Sequence, residues 1–170
     1  MTKIKLDQLK IIFEQERYKE AKELSINLIN FDNDNIQAWK ILRNCQIKLG
    51  EDPEKTFLRI INYYTKNLNF KKALNEFENF IKIKPNFRKK FLHLGELNLK
   101  LGNTELARKN FNDGINENFT PSYCLYGLGL IEKNNNTKLA LKFFEKSINL
   151  EEFPDNLNEA GLIYSTSAEL

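Results

Sequence analysis

RKKFLHLGELNLKLGNTELARKNFNDGINENFTP, residues 88–121, decides the fold of this chain. Phe91, Leu94, Leu97, Leu99 and Leu101 mark a largely apolar helix, with Gly95 beside Leu94. Gly102-Asn103 ends it, because Gly suits the position just past a helix and Asn caps the next one. Leu106, Ala107, Phe111 and Ile115 then follow at steps of one, four and four, which fits a period near 3.6 and predicts a second amphipathic helix.

The pattern recurs on both sides of this stretch. Ala73, Ala107 and Ala140 follow one another at 34 and 33 residues, and each heads an Ala-x3-Phe: Ala73 with Phe77, Ala107 with Phe111, Ala140 with Phe144. Three matches at a near-constant period are a specific signal. The missing residue before Ala140 fits a shortened turn at Asn134-Asn135-Asn136, where Asn suits turns and caps.

The pair of helices in residues 88–121 resembles one tetratricopeptide repeat (TPR), W-x2-L-G-x2-Y followed by A-x3-F and P over about 34 residues. Phe91 stands in the Trp place, Leu94-Gly95 match directly, Ala107 and Phe111 supply A-x3-F, and Asn98 replaces the Tyr. Small residues belong at such points because the closest helix packing, with axes roughly 8 Å apart, needs Gly or Ala at the crossing. The resemblance implies an all-α fold: an α-solenoid of antiparallel helix pairs, a TPR-like right-handed superhelix of about ten helices.

In chain order, Ile4 to Gln15 predicts a first helix with Leu6, Leu9, Ile12 and Phe13 inward. Tyr18 to Asn30 predicts a second, where Tyr18-Lys19-Glu20-Ala21 resembles the opening of a repeat's second helix and Leu24, Leu28 and Phe31 continue the buried side. A third runs from Ile36 to Leu49, with Trp39 and Leu42 in the W-x2-L places and Gly50 closing it. Asp52-Pro53-Glu54 starts a fourth that carries Phe57, Ile60, Ile61 and Tyr64, with Ile in the Gly place. The fifth, Phe70 to Ile83, holds Ala73 and Phe77. Ala21 to Ala73 spans 52 residues, about one and a half repeats, so either the third helix or the fourth lacks its usual partner. Thr120-Pro121 starts a helix in which Leu125, Leu128 and Gly129 match W-x2-L-G and Glu132 takes the Tyr place; Thr137 to Leu150 is its partner.

Leu157, Ala160, Gly161 and Tyr164 then resemble a first helix again. This last helix reads as a cap, with Asn158, Glu159, Ser165, Ser167 and Glu169 keeping much of its surface polar, or as a first helix that has lost its partner. The expected organisation is a single TPR-like domain over 1–170, with its clearest repeats at 54–87, 88–121 and 122–153, looser ones at 2–35 and 36–53, and a terminal capping helix at 154–170.

Composition is that of a folded, soluble chain, at 41% hydrophobic and 29% charged residues. No run of about 18 apolar residues spans a membrane, and the N-terminus lacks the apolar core of a signal peptide, so a cytoplasmic location is expected. A net charge of +3, from 26 basic and 23 acidic residues, is too mild to imply nucleic acid. Cys45 and Cys124, each amid apolar helix, read as buried small hydrophobes.

No catalytic constellation stands out, and no cofactor or metal is expected. His93 is the only histidine, which excludes metal sites and proton relays built on two. Gly127-Leu128-Gly129 superficially suggests a phosphate loop but sits mid-helix, where packing explains it. Glu151-Glu152 reads as a solvated turn. Lys82, Lys84, Arg88, Lys89 and Lys90, with Phe87 and Phe91 between, form the one basic patch, which reads as a helix C-terminus complementing its dipole and then a solvated turn.

TPR proteins generally bind peptides or partner proteins along a concave groove lined by each repeat's first helix. The resemblance therefore implies a non-catalytic interaction module, with groove candidates Lys40, Asn44, Arg59, Lys89, Leu92, His93, Glu96, Tyr123, Tyr126 and Leu130. Tyr123, Tyr126 and Leu92 would expose apolar surface there. Lys40 and Asn44 resemble the first pair of the clamp with which some relatives grip a peptide's C-terminal carboxylate; Lys89 resembles its later Lys, and His93 stands where its Arg would be. Arg59 occupies the place of the middle Asn, which leaves that clamp incomplete. The expected partner is a protein or peptide of unknown identity, with self-association possible, nucleic acid unlikely and no membrane. The alternatives are an RNA-binding helical-repeat protein, or a TPR appendage of a larger enzyme.

Overall fold

The computed structural model describes residues 2–167, which form ten helices and no strand among the described residues. They are α1 (Thr2–Glu14), α2 (Tyr18–Phe31), α3 (Ile36–Lys48), α4 (Glu54–Lys66) and α5 (Phe70–Ile83), then α6 (Lys90–Lys100), α7 (Thr104–Asn116), α8 (Pro121–Glu132), α9 (Thr137–Leu150) and α10 (Pro154–Ser167). Among the described residues, no helix is long and apolar enough to cross a membrane. Glu169 and the side chain of Ser167, both assigned to the polar face of the last helix, lie outside the described residues. The chain divides into two compact units, Met1–Ile83 and Lys84–Leu170.

Turn chemistry sets the helix boundaries. Asn35 and Asn136 cap α3 and α9, their side-chain oxygens accepting from the backbone N–H groups of Ala38 (3.1 Å) and Leu139 (3.0 Å). α1, α3, α4 and α6 end in the same way, with a residue at positive φ (Glu16, Gly50, Leu68 and Gly102) followed by a backbone N–H that reaches back five residues. This Schellman closure satisfies the last carbonyls of each helix. Asn103, expected to cap α7 by its side chain, instead donates to the Asn98 oxygen at 3.1 Å. Asn98, in the Tyr place of the repeat, is buried and donates to the Leu94 carbonyl at 2.9 Å. The amide pair thus closes the α6–α7 turn in place of a tyrosine ring.

In the Lys84–Leu170 unit, each helix packs on the next, and α6 also touches α8. Phenylalanine rings laid on glycines set these crossings. A β-carbon added to Gly95 of α6 would lie 2.4 Å from the Phe111 ring of α7, and one added to Gly127 of α8 would meet the same ring at 2.4 Å. Gly129 faces the other way, and its β-carbon would meet Phe144 of α9 at 2.3 Å. Two residues apart on a helix is about 200° of rotation, so α8 is notched on opposite sides and held between two rings. Gly127-Leu128-Gly129 is thereby a packing element, as its mid-helix position predicts. Gly114 gives room to the Cys124 sulfur in the same manner, at 2.6 Å from a hypothetical β-carbon.

Unit Met1–Ile83 resolves the half-repeat. α1 pairs with α2 and α4 with α5, while α3 packs against both α2 and α4. α3 ends with the turn typical of first helices, yet α4 ends with that turn too. The third helix, not the fourth, is therefore the one without a partner of its own. In α1–α2, small and large residues have changed places. Counted from the positive-φ residue between the helices, Leu9 stands where Gly95 stands in α6, and Ser25 stands where Phe111 stands in α7. Both are 0% exposed, and the Ser25 hydroxyl is satisfied by the Ala21 carbonyl at 2.7 Å.

Two inward assignments fail, and Leu157, which opens the first-helix-like pattern of the last helix, is also exposed. Phe31 is 80% exposed because it is the last residue of α2, with no following turn to pack against. Leu106 is 54% exposed, since its single-residue step from Ala107 turns it about 100° away from the buried face. Leu157 of α10 is 45% exposed. Cys45 and Cys124 are free and buried, as expected, and burial pushes both thiols up to about 11.

These contacts predict opposite signs for two chemically identical substitutions. Gly129→Ala should destabilise by about 1–3 kcal/mol, the usual cost of overpacking a core. Gly161→Ala, with nothing within 4 Å of its β-carbon, should be neutral or gain up to about 1 kcal/mol of helix propensity. Urea denaturation of the two variants beside wild type gives both signs.

Candidate functional site

The groove candidates fall in both units, and the structure places them very differently. In Met1–Ile83, Lys40, Asn44 and Arg59 are already engaged. Lys40 Nζ lies 3.3 Å from Glu76 Oε1 of α5 and 5.3 Å from the Tyr64 ring centroid. Burial works against its charge, but the Tyr64 hydroxyl and Glu76 outweigh it and hold the Lys40 pKa above its ordinary value. Arg43, one turn along α3, also pairs with Glu76 and stacks on Phe57. Asn44 Oδ1 accepts from the Arg43 guanidinium at 3.1 and 3.0 Å. Arg59 donates to the Asn33 carbonyl and Asp34, each at 3.0 Å, over the Trp39 ring. Of the clamp-like pair, Lys40 therefore serves an internal carboxylate, Glu76, and Asn44 holds Arg43, which serves the same carboxylate; nothing in the sequence marks Glu76 as buried.

In Lys84–Leu170, Lys89 just before α6 and Glu96 within it are exposed to solvent, while His93 is half-buried. His93 Nδ1 lies 3.1 Å from Glu96 Oε2, and the ring stacks on Phe87 with centroids 6.1 Å apart. Leu92, expected to be exposed in the groove, is 7% exposed and belongs to the core around Phe111 and Leu128. That is a correction: one turn of α6 faces the α7–α8 core at this point.

α8 carries the most developed surface. Tyr123, Tyr126 and Leu130 recur at steps of three and four on its half-buried side, opposite Cys124, Leu128 and Ile131. Tyr123 stacks on Phe153 with centroids 4.5 Å apart and planes at 9°, and Tyr126 meets the same ring edge-on at 5.5 Å. Tyr126 also leans on Phe144 at 5.7 Å, and Leu130 joins that cluster. Burial, with Asp155 and Glu159 nearby, raises the Tyr126 phenol above its ordinary value.

Phe153 is fixed by a buried polar network that the sequence reading missed. Asn156, 0% exposed, accepts from the Phe153 N–H at 3.0 Å and donates to the Ser147 hydroxyl (3.0 Å) and the Glu151 carbonyl (2.9 Å). Ser147 in turn donates to the Ser122 carbonyl at 2.8 Å, and the Ser122 hydroxyl donates to the Glu151 carboxylate at 2.9 Å. Glu151 is thus not simply solvated: it ties the start of α8 to the α9–α10 turn. Repeated Ser and Asn at helix ends were the available signal, masked by the abundance of Asn throughout the chain. Among the described residues no group of three His, Cys, Asp or Glu could hold a metal ion.

The fold has counterparts of known structure. YrrB, a TPR protein with an unusual peptide-binding site, aligns with 98% of this chain and 91% of its own at a TM-score of 0.55 and 12% identity. TTC0263, a thermophilic TPR protein of Thermus thermophilus, aligns with 97% of this chain and 98% of its own at a TM-score of 0.53 and 16% identity. No protein-family model matches the sequence, and no curated protein matches it significantly. The fold is therefore TPR-like, an all-α solenoid of helix pairs.

Two substitutions test the groups that hold these surfaces. Asn156→Ala leaves the Phe153 N–H and the Glu151 carbonyl without this partner and should cost about 1–3 kcal/mol. The near-ultraviolet tyrosine circular dichroism should weaken as the Tyr123–Phe153 stack loosens. Glu76→Ala strands Lys40 and Arg43 and should cost about 3–5 kcal/mol, measured by the same denaturation.

Proposed function

We propose that this chain is a non-catalytic protein-interaction scaffold of the cytoplasm, which holds a peptide or a segment of a partner protein against the first-helix face of its repeats. The observation that carries this reading is the Tyr123–Phe153–Tyr126 cluster. Three half-buried aromatic side chains gather on the side of α8 that carries Tyr123 and Tyr126 and are fixed by stacking and by Asn156. Rigid tyrosines offer contact area at low entropic cost, with a hydroxyl for the peptide backbone. The likeness to YrrB, itself a TPR protein with a peptide-binding site, lends support.

Lys89, just before α6, and Glu96 on it add exposed charges of opposite sign, and Leu130 extends the half-buried side of α8. Lys40, Asn44 and Arg59 contribute by keeping α3, α4 and α5 in register. The partner fitted by such a surface is an extended or helical segment with an apolar or aromatic residue at its centre.

Cross-linked pull-down from cell extract, wild type beside Tyr126→Ala and a Lys89→Glu/Glu96→Lys charge-reversed variant, tests the proposal. A recovered protein should be mapped to a peptide, and Tyr126→Ala should weaken that peptide at least ten-fold, about 1.4 kcal/mol. Circular dichroism must show the variant folded. A partner that binds Tyr126→Ala and the charge-reversed variant as tightly as wild type would remove the groove reading. Recovery of nucleic acid that falls away steeply with salt would replace it with RNA binding.

A further inference from the structure

The side of α8 that carries Tyr123 and Tyr126 takes its charge from its neighbours. α8 holds no charged residue before Glu132, and Glu132 is paired with Arg108 of α7 at 2.6 Å. On α10 stand Asp155 and Glu159, four residues apart and therefore neighbours on one helix face. Both carboxylates act on the Tyr126 phenol. Asp155 also belongs to the turn that positions Phe153. The Asn156 side chain beside it accepts from the Phe153 N–H at 3.0 Å, and the Phe153 ring meets Tyr126 at 5.5 Å. On α6 stands Glu96, which acts on Cys124 of α8. In a chain of net charge +3, this gathering of carboxylates around two tyrosines is a local feature.

Two of the three are already answered. Glu159 is met by Lys133 at 2.6 Å and Glu96 by the His93 ring at 3.1 Å. Asp155 is exposed and has no ion-pair partner among the described residues. We propose, on the basis of the peptide-binding role set out above, that the partner segment carries a lysine or arginine whose stem lies along Tyr126 and Phe153 and whose charged head pairs with Asp155. A long basic side chain suits both halves of this surface, because its methylenes cover the rings while its head stays at the carboxylate. A wholly apolar segment would cover Asp155 without a counter-charge, and an acidic one would set like charges together. An apolar residue of the same segment then falls on Leu130, one turn beyond Tyr126 on α8. Asp155 lies in the first turn of α10, where a carboxylate favours the helix without any ligand. Coupling to a peptide charge distinguishes the two roles.

The probe is a random twelve-residue peptide library displayed on phage and selected on the immobilised full chain at low salt. Peptides that bind wild type and not Tyr126→Ala are synthesised, labelled with fluorescein and titrated by anisotropy. A lysine or arginine next to an apolar residue should recur among them. Its replacement by Ala should weaken binding about five-fold, the upper end of what an exposed ion pair contributes. Asp155→Asn should weaken the parent peptide by the same factor and leave the Ala peptide unaffected, a coupling that a purely helix-stabilising carboxylate would not produce. Asp155→Lys should prefer a peptide with Glu in place of the basic residue. Tyr126-dependent peptides that lack a basic residue, or that bind Asp155→Asn as tightly as wild type, would overturn the basic-partner assignment and leave the peptide-binding role standing. Failure to select any Tyr126-dependent peptide would overturn both. A dimer in sedimentation velocity that Asp155→Asn dissociates would assign the surface to a basic segment of a second copy instead.

Discussion

A phenylalanine ring lying on a helix that has no side chain at that point is the contact on which the Lys84–Leu170 unit depends. Phe111 touches Gly95 on one neighbour and Gly127 on the other, so one ring sets two crossings. Phe144 sets the next at Gly129. Helices that approach this closely exchange a flexible side-chain layer for direct ring-to-backbone packing, at the density of a protein interior. Glycine is costly in the middle of a helix, by about 1 kcal/mol relative to alanine. The cost is offset by the ring that the missing β-carbon admits. The α1–α2 pair reaches the same end by the reverse assignment, Leu9 in the glycine place and Ser25 in the phenylalanine place. In these pairs the bulk of one helix meets a small residue of the other, whereas α4–α5 sets Ile61 and Phe77 in the two places.

Repetition of the crossings explains why the fold was legible in the sequence. Ala73, Ala107 and Ala140 must be small and Phe77, Phe111 and Phe144 must be large wherever the crossing repeats, so the pattern survives in the order of residue types. Helix ends were legible for the same local reason: Asn35, Asn136, Gly50 and Gly102 each do what their backbone positions demand. What failed depended on context that the sequence does not carry. Periodicity assigned Phe31 inward although its helix stops there. It also left open which of α3 and α4 was unpaired, because both look like first helices. The packing of α4 on α5 resolves that choice.

The candidate site was less legible than the fold, and electrostatics accounts for much of the gap. Lys40 and Asn44 sit four apart, as a carboxylate-binding pair would, but a partly buried lysine is stabilised by a counter-charge whether that comes from a ligand or from the chain itself. Glu76, 7% exposed at its side chain, provides it along with the partner of Arg43. An ion pair formed across helices far apart in sequence leaves no local mark at either end. Likewise Asn156 reads as one more asparagine in a chain rich in them. Only its 0% exposure and its bonds to Phe153, Ser147 and Glu151 distinguish it.

A frame built from one repeated contact carries specificity at the places where the repeat is broken. Asn98 and Glu132 both occupy the tyrosine place, yet one closes a turn through Asn103 and the other pairs with Arg108 at 2.6 Å. Neither substitution disturbs the ring-on-glycine contacts beside it, since those require only the glycine and the phenylalanine. The frame therefore leaves its first-helix faces free to vary, and it is on those faces that Tyr123 and Tyr126 gather around Phe153. The aromatic cluster is held by Asn156 rather than by the repeat's own residues, which places its geometry under separate control from the solenoid. The solenoid thus permits its surface to vary without altering the core beneath it.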